Sequence, residues 1–191
     1  MTDAGEDADA TLVERALAGE DTAFAQLMGR HKQWVFRFVR RYVGNAEDAY
    51  DVVQDTFFSA WLALARYQRD RPFDIWLRRI ALNKCRDRAR REAVRRVLSG
   101  FAGDNSEPAD VPDTAAGPER AAAAAQELEQ LEHSLSALPR SLKEPLLLTV
   151  LEGLTHQQAG ELLGLNAKAI EMRIYRARER LSSLRETPQR H

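Results

Sequence analysis

Residues 153–184 read GLTHQQAGELLGLNAKAIEMRIYRARERLSSL, which is the pattern of two short helices around a tight corner. Thr155 suits an N-cap, because its hydroxyl can accept from a free N–H of the first turn. Gly164 suits a stop, because glycine enters the left-handed conformation without steric cost. Between them Ala159, Leu162 and Leu163 make an apolar stripe. Asn166 can cap the second helix, where Ile170, Ile174, Ala177 and Leu181 recur at steps of four, three and four residues and so share a buried face. The opposite face then carries Lys168, Glu171, Met172, Tyr175 and Glu179, with Arg173, Arg176, Arg178 and Arg180 on its flanks. Such a helix fits the major groove of B-DNA, its guanidinium groups meeting phosphates on either side. An amphipathic hairpin whose arginines simply face water fits the same spacing, so the decision rests on the rest of the chain.

The chain has 191 residues, enough for one ordinary domain or two small ones. It is rich in Ala, Leu, Arg and Glu with few β-branched runs, which predicts helices throughout. No apolar stretch approaches the ~20 residues that span a bilayer, and the acidic start MTDAGEDADA lacks the pattern of a signal peptide. A cytoplasmic protein with no membrane insertion is expected. A single Cys85 excludes an internal disulfide and a cysteine-rich zinc site, and histidines 31, 133, 156 and 191 show no ligand spacing, so no metal or other cofactor is expected. The formal net charge of −1 conceals a segregation. Residues 22–96 hold 17 basic against 8 acidic side chains, whereas residues 1–21 hold 1 against 7 and residues 97–120 hold 1 against 5. A strongly basic block of this kind is what a polyanion-binding surface requires.

Residues 1–10 are small and acidic without periodicity and are expected to be disordered. From Thr11 two helices are predicted, interrupted at residues 19–21 and closed by Gly44 and Asn45; Leu12, Val13, Phe24, Leu27, Trp34, Val35 and Phe38 lie among their apolar positions. A third helix is predicted over residues 47–67, burying Val52, Val53, Thr56, Phe57, Ala60, Trp61 and Leu64. Asp48, Asp51 and Asp55 share a face with Gln54 beside them. On spacing alone this is a solvated edge, with a docking strip for a basic partner as the alternative. No nucleophile, glycine-rich phosphate loop or histidine ligand accompanies the acids, so an enzyme is not expected.

The loop RYQRDRPFDIW, residues 66–76, leads into a helix predicted over residues 76–96. Arg66, Arg69, Arg71, Arg78, Arg79, Lys84, Arg86, Arg88, Arg90 and Arg91 crowd this segment, interleaved with Tyr67, Phe73 and Trp76. Cations beside rings suit single-stranded nucleic acid, where charge tracks the backbone and rings take unstacked bases. A core position suits the rings equally, and Trp76 is expected there. Residues 97–120 are rich in Gly, Pro, Asp and Ala and read as a flexible acidic linker between domains spanning 11–96 and 121–187. Beyond it Pro145 is expected in the first turn of a helix that buries Leu146, Leu147, Val150 and Leu151.

The succession AYDVVQDTFFSAW, YQRDRPFDIWLRRIALNKCRDRARR, a loose spacer, then LPRSLKEPLLLTVLEGLTHQQAGELLGLNAKAIEMRIYRARERL resembles the extracytoplasmic-function (group 4) sigma factors of bacterial RNA polymerase, within the sigma-70 family. The resemblance covers residues 20–96 and 128–185. It implies an all-α fold of two small helical domains, region 2 and region 4, on a flexible linker. The implied function is that of an alternative sigma factor, serving a stress or envelope response, that binds core RNA polymerase and directs it to −10 and −35 promoter elements. By position, Asp48, Asp51, Gln54, Asp55 and Phe58 would face the β′ clamp coiled coil, which turns the acidic edge into a docking strip. Arg66, Arg69, Arg71, Asn83, Arg86 and Arg90 would meet single-stranded −10 DNA, the loop capturing a base flipped from the non-template strand. Extrusion costs a few kcal/mol of stacking and pairing, so a pocket that recovers it for one base alone selects sequence while opening the duplex. Lys168, Glu171, Met172, Arg173, Tyr175 and Arg176 would read the −35 duplex, with part of the surface before the helix-turn-helix holding the β flap. An anti-sigma factor is the further partner implied, and the linker would run near the RNA path.

Four positions depart from the family pattern. Tyr50 stands where an acid is common, and Glu171 where a basic or hydroxyl residue is common. Ala159 and Gly160 replace a larger aliphatic and an alanine; the glycine is expected to cost its helix up to about 1 kcal/mol relative to Ala. The competing readings are a helix-turn-helix repressor or activator acting without polymerase, and a helical adaptor joining proteins. The basic, ring-bearing loop opposes the first. Asn83 together with the recognition-like helix opposes the second.

Overall fold

Glycines and side-chain caps mark several helix ends in the computed structural model, which describes residues 3–68, 71–99, 134–135 and 137–186. Arg69, the linker from residue 100 onward and the chain up to residue 133, and the last five residues lie outside the described residues. Among the described residues every regular element is helical, and they divide between two compact units.

The first unit holds α1 (Asp3–Leu17), α2 (Asp21–Val43), α3 (Ala46–Ala63), a 3-10 turn (Leu64–Arg66) and α4 (Phe73–Ser99). Gly19 and Gly44, both at φ 91, make the reversals between the first three helices. The core gathers Leu12 and Val13 from α1, Leu27, Val35 and Phe38 from α2, Val52 and Phe57 from α3, and Leu77 and Leu82 from α4, all buried. Each such side chain contributes about 1.5–3 kcal/mol by leaving water. Two helices start earlier than the periodicity suggested. Helix α1 begins at Asp3, so residues 3–10 are helical rather than disordered, and Asp9 is buried with Arg30 and His31 as partners. Helix α4 begins at Phe73, with the Pro72 carbonyl accepting the Trp76 N–H at 3.2 Å. The buried ring there is Phe73, while Trp76, expected in the core, is half-buried. Trp61 likewise stays partly exposed, edge-on to Phe24 at 4.9 Å between centroids.

The second unit holds α5 (Arg140–Leu146), a π turn (Leu147–Leu151), α6 (His156–Leu163) and α7 (Ala167–Glu186). Pro139, not Pro145, opens α5, and Pro145 lies inside it. Proline offers no N–H and its ring crowds the preceding turn, so the chain after it widens. Glu152 N–H reaches back to the Leu147 carbonyl at 3.1 Å, and the Thr149 hydroxyl donates to the Pro145 carbonyl at 2.8 Å. The wider turn shifts the apolar face: Leu146, Leu147 and Leu148 are buried, and the expected core residues Val150 and Leu151 are exposed. No helix among the described residues is long and apolar enough to cross a membrane.

Candidate nucleic-acid interface

The corner between α6 and α7 is fixed by local chemistry. The Thr155 hydroxyl accepts from Gln158 N–H at 3.2 Å while the Gln158 side chain accepts from Thr155 N–H at 2.9 Å, a reciprocal capping box. Gly164 ends α6 at φ 70, and Asn166 Oδ1 accepts from Ala169 N–H at 2.8 Å to start α7. Ala159 and Leu162 pack inward with Ile170, Ile174 and Ala177, and Leu181 is half-buried. Lys168, Glu171, Met172, Tyr175, Arg176 and Glu179 are all exposed, and Arg173 is half-buried at the edge. Lys168 Nζ lies 2.9 Å from Glu171 Oε2, and this hydrogen bond holds the glutamate below the usual carboxylate range. Glu179, hydrogen-bonded to the Tyr175 phenol, pushes that group up. The outward face therefore presents one cation–carboxylate pair, a thioether and a phenol between arginines.

Residue Gly160 overturns its sequence reading. A Cβ added there would collide with the Leu165 carbonyl oxygen, whose own N–H donates to the Gly160 carbonyl at 2.9 Å. The glycine permits the close approach that forms the corner, so its helix-propensity cost is not the deciding quantity.

In the first unit the loop between the 3-10 turn and α4 is walled by rings. Tyr67, Phe73 and Trp76 lie 5.2–5.7 Å apart between centroids. The Tyr67 hydroxyl donates to the Arg71 carbonyl, tying the loop across its base. Arg66 and Arg71 are exposed, and Arg69 is outside the described residues. On α4, Asn83 and Arg90 are exposed and Arg86 half-buried, with Arg86 Nη1 3.5 Å from Asn83 Oδ1. They share a stripe with exposed Arg79, a residue that the family resemblance does not mark: residues 79, 83, 86 and 90 recur at helical spacing. Two arginines of the basic crowd turn inward instead. Arg78 is buried, its guanidinium 4.3 Å from the Trp34 ring centroid, and Arg88 pairs with Asp48.

That last pair divides the acidic face of α3. Asp48 is 8 % exposed, its carboxylate turned to Arg88 of α4, and so it leaves the docking set. Asp51, Gln54, Asp55 and Phe58 are exposed along one strip. Phe58 is 63 % exposed, and Leu62, one turn further on and 65 % exposed, extends the strip with a second apolar side chain that the sequence reading missed. Its exposure could not be read from type alone, since leucine is ordinarily a core residue.

Two helical units, one with a ring-walled basic loop and the other with a capped helix-turn-helix, define a promoter-recognising initiation protein. Residues 27–95 match Sigma-70 region 2, and residues 128–181 match Sigma-70, region 4. The chain belongs to the sigma-70 family, in its extracytoplasmic-function class. It is 41% identical over 181 residues to the RNA polymerase sigma factor CnrH of Cupriavidus metallidurans, covering 94% of this chain and 95% of that one. It is 38% identical to NccH of Alcaligenes xylosoxydans xylosoxydans (95% and 96%) and 30% identical to the sigma-E factor of Escherichia coli (92% and 93%). The solved structure of CnrH in complex with the cytosolic domain of CnrY superposes with a TM-score of 0.69 at 35% identity, over 95% of this chain and 99% of that one. As such a factor the protein binds core RNA polymerase and directs it to promoters to initiate transcription; the repressor or activator reading finds no support in these relatives.

Proposed function

We propose a division of labour among three surfaces. The exposed strip Asp51, Gln54, Asp55 and Phe58 of α3 docks on the β′ clamp coiled coil, with Leu62 adding apolar contact. The loop bearing Arg66, Arg69 and Arg71, with Asn83, Arg86 and Arg90 on α4, engages the unwound −10 strand. The outward row of α7, Lys168, Glu171, Met172, Arg173, Tyr175 and Arg176, reads the paired −35 element, and the surface preceding α6 holds the β flap. Single-strand capture by one unit and duplex reading by the other opens DNA without nucleotide hydrolysis, so the protein is a specificity subunit and not itself an enzyme.

The observation that carries this reading is the coexistence in one chain of a loop walled by Tyr67, Phe73 and Trp76 beside a basic stripe, and a recognition helix capped by Asn166 with its polar row outward. The relative CnrH was solved with the cytosolic domain of CnrY, which supports an anti-sigma partner and a cytoplasmic site of action for this chain too. The test is transcription in vitro with core polymerase and genomic DNA, mapping start sites. Specific starts that share −10 and −35 sequences are expected. Failure to bind core, or binding that leaves every template closed, would overturn the reading.

A further inference from the structure

The ring walls of the loop rest on a buried polar chain that begins in α1. Phe73 meets His31 of α2 at 5.3 Å between centroids. Both nitrogens of that buried imidazole are committed. The Trp34 indole N–H donates to Nδ1 at 2.8 Å, so the ring proton belongs on Nε2, which donates to Asp9 Oδ2 at 2.7 Å. Arg30 Nη1 donates to the other Asp9 oxygen at 3.0 Å. Turning the imidazole would break one or both of its bonds inside a low-dielectric core, where an unmade hydrogen bond is costly. Its plane is therefore fixed by partners from α1 and α2. Phe73, the first residue of α4 and one wall of the loop, packs on that fixed plane.

We infer that Asp9 and His31 are positioning residues for base capture: their hydrogen bond locks the imidazole under Phe73 and so holds the Tyr67, Phe73 and Trp76 walls in the geometry that accepts an unstacked base. The inference rests on the proposed reading of the loop as the −10 pocket. It also makes α1, whose Asp9 precedes the matched residues 27–95, part of the melting apparatus.

The test assembles full-length variants with core RNA polymerase and titrates them against fluorescent single strands carrying the non-template −10 element of a mapped promoter. Core affinity and binding to −35 duplex are measured on the same preparations. Asp9→Ala is expected to weaken single-strand binding about tenfold, the scale of one buried charge-assisted hydrogen bond, while core and −35 binding are unchanged. Asp9→Asn keeps an acceptor for His31 Nε2–H and should restore single-strand binding to within about twofold of wild type. His31→Phe keeps a ring against Phe73 without the bond and should behave like Asp9→Ala, which covers the case where that variant fails to fold. Arg71→Ala separates the two readings. If it weakens single-strand binding while Asp9→Ala and His31→Phe bind like wild type, the positioning role is wrong and the pocket stands. If Arg71→Ala also binds like wild type, the pocket reading fails and the inference with it. Equal loss in Asp9→Ala and Asp9→Asn, accompanied by lost core binding, would show a merely structural pair and overturn the inference.

Discussion

A methyl group at residue 160 has nowhere to go, because the Leu165 carbonyl already occupies its position. Helix propensity alone would have Gly160→Ala gain up to about 1 kcal/mol. The structure gives the opposite sign: the corner must shift, and overpacking of this kind costs about 1–3 kcal/mol. The three tryptophans, Trp34, Trp61 and Trp76, all lie in the first unit, so indole fluorescence follows that unit alone. Gly160→Ala should therefore lower a melting transition seen by far-UV circular dichroism and leave the tryptophan transition in place. On α7, Arg176→Ala should weaken promoter binding across sequences and reduce the slope of log affinity against log salt by about 1, as loss of one phosphate contact does. Glu171→Ala should instead alter preference at one or two base pairs, since a carboxylate can accept from cytosine N4. A promoter library read with both variants checks this; identical profiles for wild type and both variants would remove α7 from the groove.

At the scale of the element, α3 separates two kinds of acid that its sequence presents as one row. Asp48 holds Arg88 of α4, while Asp51 and Asp55 point to solvent. Asp48→Asn should cost the first unit about 1–3 kcal/mol, read by tryptophan fluorescence, with the affinity of the folded protein for core polymerase unchanged. Asp51→Asn and Asp55→Asn should do the reverse, each weakening core binding about two- to fivefold at low salt with no change in melting, because exposed pairs are worth ~0.2–1 kcal/mol and are screened. Titration of labelled core at two ionic strengths distinguishes the cases. The helix-turn-helix was legible in the sequence because Thr155, Gln158, Gly164 and Asn166 act on backbone within a few residues. The turn after α5 was not. Pro139 and Pro145 each qualify as a helix opener, and choosing the wrong one puts Val150 and Leu151 on the buried side. The inward turns of Asp48, Arg78 and Arg88 were equally hidden, because spacing along one helix does not name the neighbour that a charged side chain will meet.

At the scale of the whole molecule, the property least visible in the sequence is the reach of the acidic N-terminal segment into the fold. Its composition suggested solvation, yet Asp9 is buried and bonded to residues more than twenty positions away. Burial pushes its carboxyl up, and the hydrogen bonds from His31 and Arg30 outweigh that and hold it below the ordinary value. A carboxyl lowered on folding binds fewer protons in the native than in the unfolded state. The stability it confers is then complete above the unfolded value of about 3.9 and disappears as the pH falls through the lower folded value. Asp9→Asn removes this contribution and leaves every other carboxyl in place. The variant's first unit should melt below wild type at pH 5, followed by tryptophan fluorescence, and the gap should narrow progressively as the pH falls below the ordinary carboxyl value. A gap of unchanged size over that range would mean that the charge on Asp9 adds nothing to the fold, and that its contribution is one of shape and neutral hydrogen bonding beside the apolar contacts of Leu12, Val13 and Ala16.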